Sequence, residues 1–303
     1  MNALIPTGVL DWLLSSQRDW TVHLPVVDIV LTGRAVFLAL TAITVLLLAG
    51  IGVAASGKAE LERRWITWAI IIPVVGIPIW MGRGTTAFLA AALALQAIRE
   101  FSKLTHLPRA ETILLALLAI GYPIAAWLRP ELLGLAPLMV LVCALPAVLA
   151  GDTADGVRRA SLTGFASVWI AWSLAHLVVL WQDAFLIAFA ASAADVAAWC
   201  GGKGLRRFAW ARRPLSPLSP NKTWGGLVGA VIGGVLVLLL LGHLTPGYAV
   251  AVAVGGVLGD LLESLVKRTS GVKDAGAWLP GFGGLLDRVD SLLLVLPLAA
   301  VLG

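Results

Sequence analysis

A chain of 303 residues that is 59% hydrophobic, only 13% charged and has a mean hydropathy of +0.94 is not a soluble globular domain, since such domains carry roughly a quarter charged residues. The formal net charge of +5 is modest and calls for no nucleic-acid partner. Repeated long apolar runs without period-two alternation exclude a β-barrel of the outer-membrane type and predict an all-α, polytopic membrane protein.

In chain order, Asp11, Arg18 and Asp19 come early and no long apolar core precedes them, so residues 1–34 read as an interfacial helix rather than a cleavable signal. Membrane spans are predicted near 35–55, 65–81, 84–98, 111–128, 133–150, 163–181, 184–200, 224–242, 246–264 and 289–303. Two of these are short, so the expected total is nine or ten. Several of the 13 Trp lie near segment ends, as an interfacial belt requires. Lys and Arg concentrate in alternate loops, and the positive-inside rule places those loops in the cytoplasm. Residues 1–183 read as N-terminal membrane helices. Residues 184–303 read as the catalytic membrane region, with cytoplasmic loops 201–223 and 265–288. Cys143 and Cys200 form no metal pair and read as small apolar residues. His23, His106, His176 and His243 are scattered and form no ligand set.

The chemistry concentrates in these two loops and the span ends beside them. Asp195 lies within or at the end of a span, where acids are usually functional. Glycines flank Lys203, but no Walker loop is present. "SPNKTWGG" breaks the chain at Pro220 and starts a helix near Thr223, which makes Lys222 and Thr223 a candidate anion site. In "VLGDLLESLVKR", Asp260, Glu263, Ser264 and Lys267 share one helical face at a span's end. Burial of Asp260 in lipid costs several kcal/mol, so it should face protein, a wet cavity, a cation or a basic partner. "LLDRVDS" places Asp287, Asp290 and Ser291 on another such face. Between them, "LPGFGG" permits a tight turn whose backbone amides could cradle a phosphate. Hard oxygen ligands favour Mg²⁺ over zinc. Carboxylates crowded with Lys267, Arg268, Lys273 and Arg288 suit a metal–polyphosphate complex.

With those residues in view, the chain resembles the phosphatidate cytidylyltransferases, the CDP-diacylglycerol synthases. Ser264, Lys267, Arg268, Lys273, Asp274, Pro280, Gly281, Gly283, Gly284, Asp287, Arg288 and Asp290 fall at matching positions of that family's C-terminal signature. Asp195, Lys203 and Ser219–Thr223 resemble its upstream elements. The likeness is strong over about 190–291. Phe282 stands where the family usually has His, Gly225 where it has Glu, and Asn221 replaces a frequent Lys.

The resemblance implies that CTP and phosphatidate give CDP-diacylglycerol and pyrophosphate with one or two Mg²⁺ ions. It implies Asp260, Lys267, Asp287 and Asp290 as catalytic, with the metal on Asp260 and Asp287. Lys203, Ser219, Lys222, Thr223, Ser264, Arg268, Lys273 and Arg288 would bind substrates. A homodimer is implied by the resemblance alone. The expected location is a bacterial inner membrane, with membrane lipids around the spans and the site facing the cytoplasm. Other readings are CMP transfer to another lipid phosphate, a CTP-dependent polyprenol or dolichol kinase, a transporter and a non-catalytic paralogue.

Overall fold

The structure is a computed structural model that describes residues 18–24, 26–272, 275–276 and 283–303. Lys273, Asp274, Pro280, Gly281 and Phe282 of the C-terminal motif lie outside the described residues. The described residues fall into two compact units, one up to Thr86 and one from Ala87 on.

The first unit opens with an antiparallel hairpin, β1 (Arg18–His23) paired with β2 (Asp28–Thr32). Strands therefore replace the expected interfacial helix over this stretch, and the all-α expectation holds only for the remainder. The run Val26, Val27, Ile29, Val30, Thr32 explains the difference, because β-branched side chains favour extended backbone. Helices α1 (Gly33–Ser56) and α2 (Ala59–Trp80) follow. Gly57 takes the left-handed φ of 63° that their short connection needs. The Trp65 indole N–H donates to the Leu46 carbonyl at 2.8 Å and ties the pair together.

The second unit holds most of α3 (Arg83–Leu104) and then α4 (Arg109–Leu128). Next come the helical spans α5 (Pro130–Leu149), α6 (Gly156–Val179) and α7 (Trp181–Gly204). They are followed by α8 (Trp224–Leu240), α9 (Pro246–Thr269), the short α10 (Leu286–Val289) and α11 (Leu292–Leu302). Each predicted apolar stretch overlaps a helix. Among the described residues, six helices are long and apolar enough to cross a membrane: α1, α4, α5, α6, α7 and α9.

The packing fits lipid as the solvent. On α4, Ile113, Leu117, Ile120, Ile124 and Leu128 form an exposed stripe, while Leu115, Ala119, Tyr122 and Ala126 are buried on the opposite face. An exposed apolar stripe of this length is expected where hydrocarbon takes the place of water. Phe101 of α3 packs with Phe165 and Trp169 of α6, each at a ring separation of 6.3 Å, and those two stack on each other at 5.1 Å. A π-helical turn over Ser167–Trp172 lets Trp172 donate its indole N–H to the Leu133 carbonyl at 3.0 Å. Cys143 is buried and Cys200 exposed, and both are free thiols.

Candidate functional site

The site begins where α7 and α8 cross. Gly225, Gly229 and Gly233 recur every four residues on α8 and meet Ala197 and Gly201 of α7. A Cβ added at Gly229 would overlap the Ala197 carbonyl oxygen and lie 3.0 Å from Gly201 Cα. One added at Gly225 would lie 3.1 Å from Ala211 Cβ and 3.3 Å from the Gly201 carbonyl oxygen. Only small residues permit such an approach. A side chain at 225, where the resemblance puts Glu, would press on Ala211 and the Gly201 carbonyl, so the crossing favours glycine there.

This crossing fixes the turn that precedes α8. The Leu215 amide donates to the Lys222 carbonyl at 2.7 Å, and the Gly225 amide to the Ala211 carbonyl at 3.0 Å. The Lys222 amide donates to the Ser219 carbonyl at 3.0 Å. Thr223 is the N-cap, and its hydroxyl accepts from the Gly226 amide at 3.2 Å. The backbone thus holds Lys222 against α9, and its ammonium pairs with the Asp260 carboxylate. This pairing joins the two polar motifs.

Along α9, Lys267 sits 2.5 Å from Glu263 and 2.9 Å from Asp287. The Asp287 carboxylate also accepts from the amides of Ala275, at 3.0 Å, and Gly284, at 2.8 Å. Gly283 has a φ of 84°, and a Cβ there would lie 2.9 Å from Asp287 Oδ2. Glycine therefore lets the backbone close on the carboxylate. The Gly284 amide, expected to be open to a phosphate, is occupied by Asp287. Burial pushes the Asp287 carboxyl up, but its hydrogen bonds with Glu263, Lys267 and the Gly284 amide outweigh this and hold it below the usual aspartate range. Burial pulls the Lys222 ammonium down, against the attraction of Asp290 and Asp195. Asp290 is buried, and α9 approaches it so closely that a Cβ at Gly259 would overlap its carbonyl oxygen. Ser291 hydrogen-bonds Asp195.

Glu100 of α3, which the sequence did not single out, is the main addition. It is 5% exposed. Its Oε1 accepts from the Leu285 amide at 3.0 Å and its Oε2 from the Leu286 amide at 2.8 Å. Gln96 also donates to Oε1 at 2.9 Å. Glu100 thus caps the short helix that carries Asp287.

Asp260, Lys267, Asp287, Asp290 and Lys222 are brought together, with Asp195 and Glu263 beside them. Arg288 is exposed and acts electrostatically on Asp195 and Asp290. Ser264 is half-buried on α9 and Arg268 exposed near its end. Ser219 is held in the turn. Lys203 points elsewhere, with its ammonium 3.8 Å from the centre of the Trp199 ring. Among the described residues, no group of three or more His, Cys, Asp or Glu side chains forms a ready metal site. The donor chemistry still suits a hard divalent cation, and Glu263 Oε1 is buried without a hydrogen-bond partner among the described residues.

The fold and site define a polytopic membrane protein with a carboxylate–lysine centre at one end of its helices. The chain belongs to the cytidylyltransferase family, whose sequence model matches residues 62–303. A phosphatidate cytidylyltransferase of Helicobacter pylori (strain J99) is 32% identical over 255 residues, which covers 77% of this chain and 88% of that protein. The uncharacterized protein YnbB of Escherichia coli (strain K12) is 34% identical over 266 residues, covering 78% and 83%. Phosphatidate cytidylyltransferase 5, chloroplastic, of Arabidopsis thaliana is 36% identical over 187 residues, where the match spans 58% of this chain and 44% of that protein. The chain thus spans less than half the length of that relative.

Proposed function

We propose that the protein transfers CMP from CTP to phosphatidate, forming CDP-diacylglycerol and pyrophosphate. The observation that carries this reading is the meeting of Lys222 with Asp260 and of Lys267 with Asp287 in a chain of the cytidylyltransferase family. A phosphate oxygen of phosphatidate attacks the α-phosphorus of CTP. The bond from that phosphorus to the bridging oxygen of the β-phosphate breaks, and pyrophosphate leaves with the electron pair. The nucleophile is already an anion, so no strong base is required. The barrier lies in bringing anions together, and charge neutralisation with positioning lowers it.

Lys222, with Ser219, holds CTP, and Thr223 contributes by fixing the helix start. Lys267 and Arg268 hold phosphates of either substrate, with Ser264 beside them. Lys273 and Arg288 balance the leaving pyrophosphate or the lipid head group. Asp260 and Asp287 would hold one or two Mg²⁺ ions, which supply positive charge to the triphosphate, and Asp290 supports them from behind. In that state the two lysines exchange their carboxylate partners for phosphate oxygens. With the six long apolar spans, α2, α3, α8 and the 11-residue α11 make ten spans, or nine if α11 does not cross. The centre faces the cytoplasm of a bacterial inner membrane, where soluble CTP meets a membrane-held lipid, and residues 184–303 carry most of it. The protein works as a homodimer.

The test is acceptor selection. Purified protein in liposomes is given CTP, Mg²⁺ and, in separate reactions, phosphatidate, diacylglycerol or a polyprenol. CDP-lipid with an equal amount of pyrophosphate from phosphatidate alone is expected. Phosphorylated lipid with CDP, from either hydroxyl acceptor, would replace this reading with a kinase.

A further inference from the structure

A separate cavity of about 520 Å³ opens where α3 ends and α4 begins. It is lined by Arg99, Ser102, Lys103, His106, Leu107 and Thr112, so every ionisable group in its wall is basic. Arg99 and Lys103 are one helical turn apart and both exposed, so their cations reach the opening. Ser102 is only 6% exposed, and its buried hydroxyl has no hydrogen-bond partner among the described residues. A buried hydroxyl without a partner is destabilising, and a bound acceptor would offset that. Thr112 belongs to the first turns of the 20-residue α4, whose N-cap is Pro108 and carries no side-chain cap. The free amides of that turn add partial positive charge. The acid of the same turn, Glu111, is engaged by Arg159.

We propose that this cavity is a second anion site that takes a phosphate monoester, distinct from the carboxylate–lysine centre. Two cations, an unsatisfied hydroxyl and a helix N-terminus are the donors that such a group accepts from. The group belongs either to a lipid head group or to a free phosphate compound. Glu100, next to Arg99 in the chain, faces the other way and caps the Asp287 helix. One turn of α3 therefore serves both places.

The test uses the full chain in detergent, with inorganic phosphate and short-chain phosphatidate as probes and phosphatidylcholine as the lipid without a monoester. Bound molecules are counted by native mass spectrometry and affinities taken from equilibrium dialysis. The Arg99→Gln/Lys103→Gln variant should lose one bound monoester while CDP-lipid synthesis at saturating substrate stays at the wild-type level. Ser102→Ala, which fills no new space, should weaken the same event about tenfold, the loss of one hydrogen bond to an anion. Loss seen with both probes indicates a free phosphate compound, and loss confined to phosphatidate indicates a lipid. Either outcome supports the site. Unchanged counts and affinities for both probes in both variants would overturn it, whether or not the catalytic reading stands.

Discussion

Replacing Glu100 with alanine removes the cap from the helix that carries Asp287. Two backbone amides, Leu285 and Leu286, lose acceptors at 3.0 and 2.8 Å, and Gln96 loses a third contact at 2.9 Å. Leu285 and Leu286 are 7% and 0% exposed, so water does not replace the lost carboxylate freely. A buried donor left unsatisfied costs about 1–3 kcal/mol, so the two amides together cost about 2–6 kcal/mol. The loosened helix start is expected to let Asp287 drift from Lys267. Glu100→Gln is the sharper variant. Its amide oxygen can still serve Leu285 and Gln96, but its NH₂ group faces the Leu286 amide, donor against donor. It should therefore lie between wild type and Glu100→Ala, with about half the loss. The assay is thermal unfolding in detergent together with kcat and KM for CTP. A positioning role predicts a fall in kcat with KM for CTP little changed, graded Glu, Gln, Ala. If Glu100→Ala unfolds at the wild-type temperature and keeps wild-type kcat, the capping argument is refuted.

Lys267→Met leaves Glu263 and Asp287 buried without their shared cation, which should cost about 3–5 kcal/mol by denaturant titration and abolish product formation. Lys267→Arg should recover part of the stability. Gly229→Val forces α7 and α8 apart and should cost about 1–3 kcal/mol or more, read as a lower unfolding temperature. Arg159→Met strips the fully buried Glu111 of its partner and should lower the unfolding temperature while KM for CTP stays unchanged. The folded Asp287 carboxyl lies below the usual aspartate value, so its contribution to stability is complete above about pH 4 and is lost as pH falls through the folded value. The stability gap between wild type and Asp287→Asn should be constant from pH 5 to 8 on that account and narrow only under strong acid, as checked by acid unfolding.

The polar stripe of α9 and the acidic face around Asp287 were legible because helical spacing alone aligns them, and an acid in an apolar run demands a partner. That the partner of Asp260 is Lys222 was not legible, since it depends on how closely α8 approaches α7. The four-residue recurrence Gly225, Gly229, Gly233 was the available signal for that approach. Glu100 gave no signal of its own. It sits among Arg99 and Lys103 in what reads as a solvated basic loop end, and the amides it caps are 185 and 186 residues away. The role of Thr223 changed for a related reason. Its hydroxyl points at the Gly226 amide, a local cap that the sequence pattern also allows. The hairpin over residues 18–32 was misread because a short apolar stretch beside a membrane span suits a helix or a strand equally, and its β-branched residues were the deciding clue.

The central claim is that the carboxylates and lysines gathered from the turn before α8, from α9 and from the segment around α10 perform CMP transfer. The direct measurement follows CTP labelled at the α-phosphate in phosphatidate liposomes with Mg²⁺, scoring CDP-lipid and pyrophosphate together for wild type and Asp287→Asn. Equal amounts of the two products from wild type, and neither from the variant, are predicted. Wild-type protein that forms no CDP-lipid under conditions where the Helicobacter pylori relative does, or an Asp287→Asn variant as active as wild type, would contradict it.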